Sequence, residues 1–421
     1  MNDTAAKFRY SRRQLLQRSA AAGICGLAVP QAIIAQGRVE PGMLDRVYGM
    51  LIGSFIGDAA GGPVEFAEPQ SVQDVLPNAR NWDAARRLND SELQSLSAQF
   101  PMLSYESLRP DAAAYGPWKS NAPAGTITDD SRMKIILMRA LTANERLTRE
   151  RIAEEMIRFQ PKPDEQPNPN LQALINEGLA EYRLAANWLL GERDESKALP
   201  IERLWAGIAN CSGQMLLLPV AAQYPGDPEA AYRATWELDF VDAPLARDFC
   251  AALNAGLAAA LAPQLDTQSV EARWTALLTA MSKTDPFRLR EVPFAGRPLD
   301  KWLHMARKIA VDAKGSPAVL YRTLEEYGQP VYWWDAHFTL LTPLAILQLC
   351  RFNPMAAMHL CLDFGHDTDS YAQVLGAMVG AVHGPEIFPD HMRQAVLTEV
   401  QKDYGEDLRD WPAQLRLANA D

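Results

Sequence analysis

Apolar residues recur along this chain at the three- and four-residue spacings of amphipathic helices, with turn residues between the runs. No stretch alternates apolar and polar residues between turn signals, as a half-buried strand would. No Gly/Ser-rich linker or low-complexity break interrupts residues 45–400. The pattern therefore predicts an all-α fold, with a single compact multi-helix domain over residues 43–400.

Helical runs are predicted over most of that domain. They cover residues 44–60, 133–141, 149–158, 171–190, 201–222, 228–239, 244–262, 269–282, 298–311, 316–327, 337–350, 354–363 and 371–383. Residues 67–127 differ, because Pro, Asn, Trp and Tyr are scattered through them and only residues 83–99 have a helical pattern. We interpret residues 67–127 as an irregular insertion.

Glycine recurs every fourth residue in or at the end of the first and the last of these helices. The positions are Gly49, Gly53, Gly57 and Gly61, and then Gly376, Gly380 and Gly384. Each glycine costs a helix about 1 kcal/mol relative to alanine, and its missing side chain lets another backbone or a ligand come close. Two such stripes predict a close-packed centre, with helix packing and a ligand role both open.

Two acidic, hydroxyl-rich clusters each precede a predicted helix. Residues 128–131 read TDDS before the run at 133–141, and residues 367–370 read DTDS before the run at 371–383. Ser, Thr and Asp are also the preferred helix N-caps, so either cluster alone is explained as a cap. Together they hold more acid than capping requires, and Mg²⁺ and Mn²⁺ prefer carboxylate and hydroxyl oxygens. We therefore predict that the clusters are two halves of one oxygen-only metal site.

Residues 1–36 have the features of a twin-arginine export signal. Arg12 and Arg13 follow a short basic stretch, a weakly apolar run covers residues 20–29, and small residues close the segment near Ala35. The alternative is a disordered basic tail. The run is too short to span a membrane, and no later segment approaches 18 uninterrupted apolar residues. We expect export by the twin-arginine translocation machinery to the bacterial periplasm or beyond, and a mature chain without a transmembrane segment.

The net charge and the cysteine spacing count against two further classes of function, nucleic-acid binding and a cysteine-ligated metal site. A formal net charge of −11 counts against non-specific nucleic-acid binding, which depends on cationic side chains. Outside the signal, the cysteines have no metal-ligand spacing and are interpreted as buried apolar residues. A disulfide between Cys350 and Cys361 is left open.

Three motifs follow one another in an order that points to a known family. Residues 57–66 read GDAAGGPVEF and resemble an opening Gly-Asp-x-x-Gly-x-Pro-x-Glu motif, and the TDDS and DTDS clusters resemble a Thr-Asp-Asp-Thr and an Asp-Thr-Asp-Thr/Ser motif. Within residues 43–385 the chain thus resembles the ADP-ribosylglycohydrolases, the family of the enzyme that reactivates dinitrogenase reductase.

The resemblance implies a binuclear centre of two Mg²⁺ or Mn²⁺ ions, where the N- or O-glycosidic bond at a ribose anomeric carbon is hydrolysed. By position it implies the metal ligands Thr128, Asp129, Asp130, Asp367, Asp369 and Ser370. The catalytic residues that we expect are Glu65, Asp130 and Asp367. Glu65 is either a ligand or the acid/base that handles water. Asp58 is expected to brace the first helix and its turn.

Substrate-binding residues are predicted beside the second acidic cluster. Gly365 and His366 directly precede it, at a position where relatives commonly have Gly-Gly, and His366 either contacts substrate or packs. Trp334 belongs to an aromatic cluster over residues 332–337, which either stacks on a base or a sugar or forms packing contacts.

The sequence departs from its relatives at two further positions. Many relatives have an Arg soon after a Met at the position of Met215, and a His after the next helix. Here leucines follow Met215, and residues 239–242 read DFVD. These changes count against recognition of ADP-ribosyl-arginine and leave the predicted metal centre intact.

The function that these observations favour is an exported, metal-dependent hydrolase of glycosidic bonds to ribose. Its substrate would be an ADP-ribosylated protein, an ADP-ribosylated small molecule or another nucleoside-like glycoside. One alternative is a non-catalytic protein of the same fold that binds metal or ligand. A weaker alternative is a two-metal phosphoester hydrolase, because that chemistry uses similar carboxylate pairs.

Overall fold

The computed structural model describes residues 42–67, 72–73, 76, 78–104, 122–141, 146–162, 169–328 and 332–417. In that part of the chain there is no β-strand, and one isolated bridge joins Asn210 and Asp335. The predicted all-α fold is therefore confirmed. The predicted signal at residues 1–36 lies outside the described residues.

The α-helices, in chain order, are α1 (Met43–Gly61), α2 (Asp90–Ala98), α3 (Asp129–Ala140), α4 (Arg149–Arg158), α5 (Pro169–Gly178), α6 (Ala180–Leu189), α7 (Ser212–Leu216), α8 (Pro228–Leu238), α9 (Pro244–Ala260), α10 (Val270–Lys283), α11 (Pro298–Ala313), α12 (Pro317–Gly328), α13 (Ala336–Leu349), α14 (Pro354–Phe364), α15 (Thr368–His383), α16 (Asp390–Tyr404) and α17 (Trp411–Leu417). Short 3₁₀ helices span Ile201–Gly207, Leu218–Gln223, Pro263–Leu265, Leu289–Glu291 and Pro385–Ile387.

Two of the predicted runs are wrong as single helices. Residues 171–190 form α5 and α6, which are separated directly after Gly178. Residues 201–222 form two 3₁₀ helices and the short α7. Gly207 has a φ of 79° and Pro219 has no backbone N–H, so neither residue suits the interior of an α-helix.

The helix predicted at residues 83–99 is also shorter, because Asn89 caps α2. Asn89 Oδ1 accepts a hydrogen bond from Glu92 N at 3.0 Å, and Glu92 Oε2 accepts one from Asn89 N at 2.8 Å. This reciprocal pair fixes the helix start. Nearby, the Trp82 indole donates to Asp363 Oδ2 at 2.5 Å and ties the described part of residues 67–127 to α14.

Two helices, α16 and α17, lie beyond the last predicted helix. Trp411 of α17 packs edge-to-face on Phe55 of α1, with ring centroids 5.6 Å apart. Both rings are fully buried, so the C-terminal helices belong to the same core as α1. The α3, α16 and α17 helices contact α1, while α13 and α14 contact α15.

At the centre of the fold, the backbones of α1 and α15 touch. A Cβ atom added at Gly53 would lie 2.3 Å from the carbonyl oxygen of Gly376. One added at Gly61 would lie 2.5 Å from Asp369 Cα. Both distances are below 3.0 Å, a limit that real Cβ atoms essentially never cross. The glycine stripes therefore serve helix packing, and they bring the end of α1 against the start of α15.

Among the described residues, no helix is both long enough and apolar enough to span a membrane. The cysteines that the structure describes are free and buried, so Cys350 and Cys361 form no disulfide in it.

We expect Gly53→Ala to destabilise the protein by about 3 kcal/mol or more, because the new methyl group can be accommodated only if two backbones separate. Gly178→Ala is the matched control, since nothing lies within 4 Å of a Cβ atom added at Gly178. Chemical denaturation of both variants measures the difference. Equal free energies of unfolding for Gly53→Ala and Gly178→Ala would contradict the close contact.

Candidate metal centre

Carboxylates from three helix ends converge in the interior. Asp58 lies near the C-terminus of α1, Asp130 in the first turn of α3, and Asp369 in the first turn of α15. One oxygen from each of these side chains lies within 4.8 Å of the others. We call this group triad A. Chain segments that are far apart in the sequence therefore meet at one point, as the acidic clusters predicted.

A second group of carboxylates adjoins the first. Glu65, Asp367 and Asp369 also bring one oxygen each to within 4.8 Å of one another. We call this group triad B. Asp369 belongs to both triads, so the described residues offer two adjoining positions that could each hold a metal ion.

Asp58 has a larger part than the sequence suggested. It was expected to brace the first helix and its turn, but its carboxylate binds the start of α3. It accepts hydrogen bonds from Thr128 Oγ1 at 2.5 Å, from Thr128 N at 3.2 Å and from Ser131 N at 3.2 Å. Asp58 therefore caps α3 from another helix while it faces Asp130 and Asp369 in triad A.

The remaining predicted ligands surround the triads. Thr128 Oγ1 donates to Asp58 and accepts from Asp130 N at 3.2 Å. Ser370 Oγ donates to Asp130 Oδ1 at 3.5 Å. Asp129 is only half-buried and lies outside both triads, although its charge raises the pKa of Asp130. The ligand roles of Thr128, Asp129 and Ser370 remain predictions.

Burial and mutual repulsion act strongly on the carboxylates. Desolvation, followed by repulsion from neighbouring acids, holds the pKa values of Asp130, Asp367 and Asp369 well above the usual range. Asp130 Oδ2 is buried and has no hydrogen-bond partner among the described residues. An unsatisfied buried carboxylate oxygen is costly, and a divalent cation between these oxygens would remove that cost. The donor set, all oxygen, suits Mg²⁺ or Mn²⁺.

A buried cation that the sequence motifs did not indicate lies beside triad A. Lys134 Nζ donates to the carbonyl oxygen of Asp130 at 2.9 Å and to Gln373 Oε1. Burial lowers the pKa of Lys134 to about 8, although Asp130 and Asp58 oppose that shift. The signal was a lysine within the mostly apolar run at 133–141, four residues after Asp130. Its charge offsets part of the negative charge of triad A.

The two segments of triad B are held together through their backbones. Phe66 N donates to the carbonyl oxygen of His366 at 2.8 Å, which links the residue after Glu65 to the residue before Asp367. Gly365 has φ 79° and ψ −148°, a conformation that is essentially restricted to glycine. A Cβ atom there would also lie 3.1 Å from Arg80 Nε. Gly365 thus shapes the turn into Asp367.

Two of the predicted substrate-binding residues, Gly365 and His366, form this turn. The His366 ring stacks on Trp333, with centroids 3.7 Å apart, and its Nε2 lies 3.5 Å from Glu325 Oε1. Burial lowers the pKa of His366, with Glu325 opposing the shift. Trp334 is 38% exposed, and its ring contacts Phe66 and Tyr332. The substrate-binding roles of Gly365, His366 and Trp334 remain predictions.

Cys211 contacts Asp367 of triad B. Its Sγ is 4.0 Å from Asp367 Oδ2 and 3.5 Å from Ser370 Oγ. Behind it, Gly213 N donates to Asp242 Oδ1 at 2.9 Å. Burial raises the pKa of Asp239 to about 6, and burial together with Asp239 raises the pKa of Asp242 well above its usual range. A second buried acid pair therefore supports the start of α7, directly after Cys211.

A surface cavity of about 340 Å³ lies elsewhere, between the start of α4 and α8. Arg146, Arg149 and Glu237 are among its lining residues, and it shares no residue with either triad. The Arg146–Glu237 ion pair is exposed, at 3.3 Å. This cavity is therefore not part of the metal centre.

Comparison with known proteins agrees with the motifs. The sequence model of the family described as ADP-ribosylglycohydrolase matches residues 40–420. This chain belongs to the ADP-ribosylglycohydrolase family. It is similar to a solved structure described as "ADP-ribosylglycohydrolase-related protein complex", with 18% identity and a TM-score of 0.47 over 90% of this chain and 98% of that chain. No curated protein sequence matches this chain significantly.

Membership in the ADP-ribosylglycohydrolase family supports a hydrolase function of the glycohydrolase type. It confirms the family that the three sequence motifs indicated. The acidic triads could hold a metal ion, in keeping with a family that is commonly metal-dependent.

We expect the triad carboxyls to make the metal-free protein less stable as pH rises from about 5 to about 8. The folded chain keeps protons on Asp130, Asp367 and Asp369 that the unfolded chain releases near pH 4, so these three carboxyls bind more protons in the folded state. Metal binding requires the deprotonated carboxylates, so the stabilisation by saturating Mn²⁺ should grow with pH.

Denaturation with and without Mn²⁺ across this pH range measures both effects. Groups outside the triads, among them Asp239, Asp242 and the buried His337, His359 and His383, titrate with and without Mn²⁺, so the difference between the two curves isolates the triads. A difference that does not change with pH would contradict the assigned carboxylates.

Proposed function

We propose that this protein is an exported hydrolase that uses two Mg²⁺ or Mn²⁺ ions to cleave a glycosidic bond at a ribose anomeric carbon. The substrate would be an ADP-ribosyl compound or a related nucleoside-like glycoside. The observation that carries the proposal is the pair of adjoining carboxylate triads that share Asp369. Family membership supports the glycohydrolase class of reaction.

Each triad would hold one ion. Asp58, Asp130 and Asp369 would bind the first, and Glu65, Asp367 and Asp369 the second. Thr128, Asp129 and Ser370 are the proposed additional ligands around the triads. Bound divalent ions would supply a nucleophilic water of lowered pKa and a template that orients ribose hydroxyl groups.

The reaction would add the oxygen of water to the anomeric carbon and break the bond from that carbon to nitrogen or oxygen. The electron pair leaves with the leaving group, which gains one proton. Glu65 is half-buried and faces Asp367 and Asp369, so it can exchange protons with solvent from the edge of the centre. We assign it the acid/base role.

Asp130 and Asp367 are the other proposed catalytic carboxylates. Both are buried, and the orphan Oδ2 of Asp130 can accept a hydrogen bond. Lys134 fixes the α3 end of the centre through the Asp130 carbonyl and Gln373. These contacts favour a rigid site in which substrate hydroxyls replace water as hydrogen-bond partners.

Two departures from the sequences of relatives count against ADP-ribosyl-arginine as the substrate. A buried acid pair, Asp239 and Asp242, takes the place of the histidine of many relatives, and leucines take the place of their arginine. The proposed export also separates the protein from regulatory ADP-ribosylation in the cytoplasm.

We expect Asp369→Asn to lower turnover by more than about 100-fold, because outer-shell partners of metal ligands already contribute 10- to 100-fold and Asp369 serves both triads. Asp242→Asn is the matched control: it replaces a buried carboxyl whose pKa is strongly raised and which lies outside the triads. Mass spectrometry of the products formed from a panel of ribosyl compounds, with Mg²⁺ or Mn²⁺ present, measures turnover.

The products also separate the alternatives. Release of free ribose or ADP-ribose supports the proposal, whereas release of phosphate identifies a phosphoester hydrolase. Tight metal binding in calorimetry without turnover of any compound identifies a non-catalytic member. Equal turnover by Asp369→Asn and wild type under saturating metal would show that the assigned centre is wrong.

We further propose that residues 1–36 direct export to the periplasm or the medium. Changing Arg12 and Arg13 to lysine should leave the full-length precursor in the cytoplasm, because the paired arginines are the receptor-read part of a twin-arginine signal. Cell fractionation with immunodetection measures the distribution. Changing Lys7 to arginine is the control, and unchanged export of the doubly substituted protein would contradict the signal.

A further inference from the structure

We propose that an exposed aromatic rim beside triad B binds a planar aromatic leaving group of the ribosyl substrate. The rim consists of Phe66, Tyr332 and Trp334. This inference rests on the proposed function for the ribosyl part of the substrate, and it adds the chemical class of the group on the other side of the bond. That group would be a heteroaromatic or aryl ring rather than an alkyl alcohol.

The rim places three aromatic rings in solvent. Phe66 is 40% exposed, Tyr332 is 50% exposed and Trp334 is 38% exposed. The rings of Tyr332 and Trp334 are stacked, with centroids 5.0 Å apart, and Phe66 meets Trp334 edge-on at 6.1 Å. Exposed apolar groups that cluster in this way mark binding surfaces more often than isolated ones do.

Phe66 joins the rim directly to the reacting centre. It follows Glu65, the triad B carboxylate that we assign as acid/base, and its N–H is bonded to the carbonyl oxygen of His366. Its φ of 48° is rare for a bulky residue. The ring is 40% exposed and lies one residue along the chain from the group that would give a proton to the leaving group.

Trp334 is anchored to the same centre through its neighbour. The Trp333 ring lies inside, stacked on His366, and the space at Gly328 accommodates it, since a Cβ atom there would lie 2.1 Å from the ring. The carbonyl oxygen of Trp333 accepts a hydrogen bond from Tyr371 Oη at 2.7 Å. Tyr371 directly follows Ser370 on α15. An inner ring thus fixes the outer ring beside the ligand-bearing helix.

The chemistry of the rim selects for flat, π-rich groups. Aromatic rings prefer offset-stacked or edge-to-face partners, and the rim offers a ring face beside a ring edge. An alkyl leaving group has no face to stack. Since the rim adjoins Glu65, the ring that it binds would belong to the leaving group, on the side of the scissile bond away from the metal-held ribose.

The test compares phenyl and methyl ribofuranosides, each in both anomers, on wild type, Phe66→Ala and Trp334→Ala. We expect both variants to raise KM for the phenyl glycoside about tenfold, within the range seen for lost base–aromatic stacking, and to change kcat/KM for the methyl glycoside much less than kcat/KM for the phenyl glycoside. Phe294→Ala is the control, because Phe294 is 101% exposed and lies outside the rim. Both rim residues are exposed, so thermal unfolding should be unaffected.

If wild type hydrolyses neither glycoside, calorimetric dissociation constants decide instead, which separates this inference from the proposed function. Tighter wild-type binding of the phenyl than of the methyl glycoside, lost in Phe66→Ala and in Trp334→Ala, supports the rim. Equal effects on both glycosides, or no wild-type preference for phenyl, overturn it. A change of oligomeric state in the variants without a change in phenyl preference also overturns it, because the rim would then be a protein interface.

Discussion

The backbone contact between α1 and α15 is the constraint on which the candidate site depends. Packed helix axes usually lie 8–10 Å apart because side chains separate them, but the glycine stripes remove those side chains here. The contact ends where Gly61 meets Asp369 Cα, at 2.5 Å for an added Cβ atom. It therefore carries Asp58 and Asp369 to one point. Wider spacing would leave their oxygens too far apart to share one cation.

Capping and metal binding are combined in the acidic clusters rather than being alternatives. Thr128 caps α3 locally through Asp130 N, and Asp58 binds the same helix end from α1. These bonds use some carboxylate oxygens and leave others, Asp130 Oδ2 above all, without a partner among the described residues. Asp58 thus satisfies backbone N–H groups at the start of α3, while Asp130 Oδ2 stays available to bind a cation. Lys134 limits the charge that remains, and a divalent ion in each triad would offset the rest.

The sequence was sufficient to predict features that depend on neighbouring residues, such as helix bounds and helix caps. The helix predicted at 149–158 matches α4, and the acidic clusters stand at the starts of α3 and α15 because capping chemistry is local. The convergence of Asp130 with Asp369 was predicted because the two clusters hold more acid than helix capping requires. The roles of Asp58 and Lys134 depend on how α1, α3 and α15 pack, which no local pattern encodes. The prediction of one helix over residues 201–222 was wrong, because an apolar run resembles a helix even where Gly207 and Pro219 interrupt it.

The most direct measurement is anomalous X-ray scattering from crystals grown with Mn²⁺. If the two carboxylate triads that share Asp369 each hold a divalent ion, as we propose, two neighbouring anomalous peaks will appear. One will be bounded by Asp58, Asp130 and Asp369, and the other by Glu65, Asp367 and Asp369. Manganese peaks elsewhere, or density without any manganese between these carboxylates at saturating concentration, would contradict this proposal.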